Sequence, residues 1–99
     1  MSALVGLQSW YASQCDGDWE HSFGIQIETV DNPGWWLEID LSDTDALRRE
    51  FDPVRRGDPL QDARWIDCRV EKGKFIASGG PHCLEEMAMV FLTWVADQC

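Results

Sequence analysis

Residues 15–21 bring together a thiol, three carboxylates and an imidazole: Cys15, Asp16, Asp18, Glu20 and His21. Such a set suits a metal site, a nucleophile with its base, or an acid–base pair. A structural zinc site needs four Cys or His ligands, ordinarily in close-set pairs. Cys15 and His21 are separated by five residues, and the other His–Cys neighbours, His82 and Cys83, are adjacent. A Cys15, His21, His82, Cys83 site is arithmetically possible but lacks the usual spacing. Asp16-Gly17-Asp18 does not continue the calcium-loop pattern of an EF-hand. Cys15 with His21 offers a nucleophile and a base, yet nothing marks a third orienting group or an oxyanion hole. Glu20 and His21 are neighbours, and neighbours in a strand face opposite ways, which makes shared acid–base work awkward. The stretch therefore reads as a structural corner: Trp19 packs at a helix–strand junction while Glu20 and His21 satisfy loop backbone groups. No catalytic group, metal or other cofactor is expected.

The elements around that corner follow from periodicity. "SALVGLQSWYASQC" is a helix by the three- and four-residue spacing of Leu4, Leu7, Tyr11 and Cys15, with Ser2 as N-cap and Gly17 at or after its end. "SFGIQIETV" and "WWLEIDL" alternate and flank the turn signal "DNPG", so they form a hairpin. Ile27 opposite Ile39 puts both apolar sets on one side and demands an odd-numbered loop. Asn32-Pro33-Gly34-Trp35 then fits a type II turn. "RWIDCRVEKGKFIAS" is a second hairpin turning at "EKGK". From His82 to about Asp97, Leu84, Met87, Ala88, Phe91, Trp94 and Val95 make the apolar stripe of a second helix. Residues 45–64 are irregular and charged: either a mobile loop or a cover for a short edge strand around Phe51 and Val54.

The order is α-β-β-β-β-α over one domain, residues 1–99. It predicts an α+β fold, a four- or five-stranded antiparallel sheet with both helices on one face. The other face is left open. Alternation places Gln26, Glu28, Trp36, Glu38, Asp40, Trp65, Asp67 and Arg69 there, and the expected register sets Glu28 against Glu38. Opposed like charges destabilise a sheet, which suggests a cation arriving from a partner. Trp among charges is also the makeup of an interface hot spot. Glu28, Trp36, Glu38, Asp40, Trp65 and Asp67 are thus the candidate contact surface.

Charge supports a protein partner. The net charge is −10, and residues 1–47 hold nine acids and no Lys or Arg. Such a half repels nucleic-acid phosphates and attracts a basic protein. No apolar run approaches the length of a membrane span, and the N-terminus lacks the shape of a signal peptide, so a cytoplasmic protein is expected. The four Cys, at 15, 68, 83 and 99, then read as free thiols, with Cys68 in the core and Cys99 able to cross-link.

With these motifs in hand, the chain resembles the immunity protein 53 family of bacterial polymorphic toxin systems. The resemblance is carried by "CDGDWEHSFGIQIETVDNPGWWLEIDL" at 15–41, "WIDCRVEKGKFIASGGP" at 65–81 and "LEEMAMVFLTWV" at 84–95. Trp19, Glu20, His21, Asn32, Pro33, Gly34 and Trp35 belong to the family motif, in a structural role. The resemblance implies a cytoplasmic protein that binds and blocks a toxin, without cofactor or catalysis; the sequence itself allows a monomer or a homodimer through the open face. The acidic half suggests a basic toxin such as a nuclease, and the central loop, with Arg48, Arg49, Arg55 and Arg56, suggests specificity. The rival readings are a small-molecule or peptide-binding accessory protein of a biosynthetic gene cluster, and a small metal-dependent enzyme.

Overall fold

The computed structural model of the chain describes residues 2–96. The expected helix end at Asp97 and the Cys99 thiol lie outside them.

Helix α1 (Ala3–Gln14) starts where expected, with the Ser2 hydroxyl accepting a hydrogen bond from the Val5 N–H at 3.2 Å. It is turned so that Ala3 and Leu7 are buried and Trp10 packs beside them, while Leu4 and Tyr11 stay largely outside. A short helix α2 (Trp19–Ser22) follows. Strands β1 (Ile25–Val30) and β2 (Gly34–Asp40) form the first hairpin. A 3-10 turn (Asp45–Arg48) and a three-residue strand β3 (Val54–Arg56) occupy the irregular segment, so it does hold an edge strand. Strands β4 (Ile66–Glu71) and β5 (Lys74–Gly79) make the second hairpin, and helix α3 (Leu84–Ala96) closes the described chain. Its turn, Lys72-Gly73, has both residues at positive φ, as a two-residue hairpin requires.

The five strands form one antiparallel sheet in the order β1-β2-β5-β4-β3. Both helices lie on one side. Phe91, Met87 and Ala88 of α3 share a buried cluster with Leu37, Ile39, Phe75, Ala77, Ile66 and Cys68 of the sheet, and Ala3 and Leu7 of α1 join it. Each large apolar side chain buried there contributes roughly 1.5–3 kcal/mol. Phe51 of the central segment enters the same core, its ring edge-on to Phe75 at 5.5 Å and Trp94 at 5.1 Å. Arg49 donates to the Trp94 carbonyl at 3.0 Å, and Trp94 Nε1 donates to the Glu50 carbonyl at 2.9 Å. Arg56 forks onto Glu86 of α3 and also donates to the Arg64 carbonyl. The segment is thereby fastened to α3 rather than loose.

The first hairpin differs from expectation by two residues. Ile27 faces Leu37, Ile25 faces Ile39 and Val30 faces Gly34, leaving a three-residue loop, Asp31-Asn32-Pro33, with a cis Asn32–Pro33 peptide. A shift of two keeps every side chain on its face, so the inside and outside sets stand as predicted. The type II turn is not formed, because Gly34 belongs to the strand. A Cβ at Gly34 would lie 2.2 Å from the Gly79 carbonyl oxygen of β5. The glycine is there for close approach of two backbones, not for a turn.

Gly34→Ala should therefore destabilise the fold by about 2–3 kcal/mol in denaturant unfolding. Gly24→Ala, where a Cβ meets nothing within 4 Å, should change stability by less than about 1 kcal/mol.

Candidate functional site

The corner of residues 15–23 is built from short-range hydrogen bonds. Asp16 Oδ1 accepts from the N–H groups of Asp18 and Trp19, both at 2.9 Å, and caps α2. Glu20 accepts from the Asp16 N–H at 3.0 Å and the Gly17 N–H at 2.9 Å. Trp19 is buried; its Nε1 donates to the Ser42 carbonyl at 2.8 Å, and its ring stands edge-on to Trp10 and Tyr11. His21 is exposed; its backbone N–H donates to the Asp18 carbonyl, and its imidazole acts electrostatically on Glu20. Strand alternation does not separate Glu20 from His21, since both lie on one helical turn. Cys15 Sγ donates to the Tyr11 carbonyl, whereas Cys83 is buried at the far end of the sheet, ahead of α3. Among the described residues no three His, Cys, Asp or Glu side chains gather as metal ligands. Cys15, Cys68 and Cys83 are free thiols. Cys68 is fully buried, and burial pushes its thiol up to about 12.

The open face is the second feature. The register places Gln26, Glu28, Trp36, Glu38, Asp40, Lys74, Ile76, Ser78, Asp67, Arg69, Glu71 and Arg55 on it. Glu28 pairs with Trp36, and Glu38 with Gln26 and Ile76. The expected opposition of Glu28 to Glu38 is therefore corrected: in the two-residue offset an aromatic meets the first and an amide the second. Glu38 is held instead by Lys74 Nζ at 3.1 Å and by Trp36 Nε1 at 3.3 Å. Asp40 accepts from the Ser42 N–H at 3.0 Å. Asp67 pairs with Arg55 at 3.3 Å and lies 3.8 Å from Arg69, which also reaches Glu71 at 3.7 Å. Glu28 and Asp40 have no ion-pair partner among the described residues.

Trp65 does not present itself on this surface. It precedes β4, is only 7% exposed, and borders a hollow of about 250 Å³ with Pro33, Pro59 and Pro81. Trp35, by contrast, lies inside β2 on the helix side, with its Nε1 donating to the Pro81 carbonyl at 3.0 Å. Sequence reading passed over Arg55 and Glu71 of this face, and also its β5 members Lys74, Ile76 and Ser78. The signal for the β5 members was present, because Phe75 and Ala77 on the core side put their neighbours outside. Ile76 is only 8% exposed although it faces outward, so long open-face side chains lie over it. A hollow of about 330 Å³ opens at the β1–β2 end of the face, between Ser22–Gln26 and the polar trio Glu38, Asp40 and Lys74.

The geometry defines an α+β protein with a polar, aromatic sheet face and a hydrogen-bonded corner. Its sequence matches the family model of immunity protein 53 over residues 4–96, and the chain belongs to that family, whose members are immunity proteins directed at a toxin. No curated protein matches it, and no solved structure does. No helix among the described residues is long and apolar enough to cross a membrane.

The corner carries a pH prediction. Asp16 lies below the usual carboxylate range because the Trp19 and Asp18 N–H groups donate to it; Glu20 is lowered by its own N–H and those of Asp16 and Gly17. Both folded values are depressed, so the corner's contribution is whole above about pH 4 and is lost as pH falls through the depressed values. Carboxyl NMR titration should show both groups titrating below the ordinary values of free Asp and Glu side chains. Glu20→Gln should speed exchange of the Asp16 and Gly17 amides at neutral pH.

Proposed function

We propose that the protein neutralises a cognate bacterial toxin by stoichiometric binding that occludes the toxin's active site, using the open sheet face. The observation that carries this reading is Trp36, half-buried and bonded to Glu38 on the sheet face that no helix of the described residues covers, with Glu28 paired opposite it and Asp40 further along its strand, both lacking ion-pair partners among the described residues. A partner that brings Lys or Arg to those carboxylates and covers the indole gains charge-assisted hydrogen bonds and apolar burial together. Asp67 lies across the sheet beside Arg55 and extends the surface.

Strand order supports a basic toxin, such as a nuclease that must itself hold phosphates. Residues 1–47, with their nine acids and no base, build α1, α2, β1 and β2. Those strands occupy one end of the sheet. The charge asymmetry of the sequence is therefore an asymmetry in space, and it steers a basic partner to the end that holds Trp36. In this reading the protein acts in the cytoplasm, holds no cofactor, catalyses nothing, and binds neither nucleic acid nor membrane.

The test is affinity for the product of the neighbouring toxin gene, by calorimetry and by toxin activity assay. Equimolar protein should abolish toxin activity. The Trp36→Ala, Glu38→Lys double variant should weaken binding about a hundredfold, on the order of 3 kcal/mol. Glu28→Lys, at an exposed site, should weaken it about tenfold while leaving the melting temperature unchanged. Wild-type affinity in both variants would remove the face from the interface.

A further inference from the structure

The sheet ends in two edges, and they are built differently. The β3 edge is three residues long, follows Pro53 and carries Arg55 and Arg56. Short length, proline and charge are the devices that keep an edge from pairing with another chain. The β1 edge lacks the first two, and its one charge is the acidic Glu28. It runs six residues as Ile-Gln-Ile-Glu-Thr-Val, without Lys, Arg or Pro, and pairs with β2 on one side only.

The backbone phase of that edge follows from one bond. The Gly24 carbonyl accepts from the Asp40 N–H at 3.1 Å. In an antiparallel ladder bonded and non-bonded pairs alternate, so Gln26–Glu38 and Glu28–Trp36 exchange bonds across the hairpin. Ile25, Ile27 and Thr29 then point their N–H and C=O groups away from β2. The side chains of the same residues lie on the helix side, where they are covered only in part: Ile25 packs against the core, while Ile27 is 41% exposed. A groove of about 340 Å³ runs between β1 and α1, lined mainly by Leu4, Leu7, Tyr11, Ile25 and Ile27. Glu28 stands on the opposite face of the strand.

We propose that β1 receives a strand from the partner: an extended segment with apolar side chains at alternate positions over the α1 groove and Lys or Arg at the intervening ones, beside Glu28. Main-chain bonds to Ile25, Ile27 and Thr29 supply affinity, and the two faces supply selectivity. A second copy of this chain is a poor occupant, because it would bring together two halves that each carry nine acids and no base. The identification of the partner as a toxin rests on the function proposed above; the chemistry of the edge does not.

A short acetylated, amidated peptide alternating Val and Lys tests the edge without the toxin. Added to the full chain, it should slow amide exchange at Ile25, Ile27 and Thr29. It should bind at least about tenfold more tightly than a peptide of the same composition with its Val and Lys in separate blocks. Ile27→Pro removes an outward N–H without touching the β2 ladder and should abolish the slowing. Ile27→Lys, at a part-exposed position, should weaken binding without that backbone change. Unslowed amides, equal binding of the blocked peptide, or a concentration-dependent dimer that protects these amides without peptide would each overturn the proposal. None of these outcomes bears on neutralisation, and a toxin that fails to bind would leave the edge result standing.

Discussion

Phe91 is where the two helices and the sheet meet. Its ring stands edge-on to Trp10 of α1 at 5.0 Å, tilted to Phe75 of β5 at 5.2 Å, and beside Trp94 one turn along its own helix at 6.1 Å. Every further placement passes through these contacts. Trp10 also meets Trp19, so the corner at 15–23 is fixed by way of α1. Trp94 meets Phe51, so the central segment is fixed by way of α3. The close approach of Gly6 to Leu92 seats α1 against α3 rather than flat on the sheet. That seating is why α1 stops short of the outermost strand and leaves the helix side of β1 partly bare.

Much of this was legible because strand alternation is a strong local signal. Leu37, Ile39 and Leu41 went inside and Trp36, Glu38 and Asp40 outside, and a mistaken turn could not disturb them, because the error was an even number of residues. What failed was the reading of residues with more than one use. Gly34 looked like a turn glycine and serves a backbone contact with β5, which lies more than forty residues away in sequence and has no local signature. Trp65 followed the strand parity, yet the chain before β4 buries it. Leu4, Leu7 and Tyr11 have helical spacing, yet α1 turns Ala3, Leu7 and Trp10 inward, because the direction of α3 decides which side of an apolar helix is covered.

The candidate face was legible in membership and not in pairing. Its charges look unopposed in the sequence because their partners come from other strands: Lys74 to Glu38, Arg55 to Asp67. Arg55 and Arg69 answer Asp67 and Glu71 within the β4–β3 side, while Lys74 reaches over to Glu38 of β2. The acidic excess is left at the β1–β2 end, built from residues 1–47, which hold no Lys or Arg. Exposed pairs of this kind add little to stability. Their effect is on the field, which they flatten over one half of the sheet and leave steep over the other.

The fastening of the central segment has a bearing on variation. Phe51 lies in the core and Arg56 is forked onto Glu86, while Trp65 and Ile66 are buried at the other end. Between these anchors residues 57–64 are exposed. Asp58 and Asp62 hold the path, accepting from the Leu60 and Arg64 N–H groups, both at 2.9 Å. The side chains of Leu60, Gln61 and Ala63 are exposed and stand outside the buried cluster of the sheet and helices. A lineage can thus rewrite this patch many times over at little thermodynamic cost while the scaffold beneath is inherited unchanged.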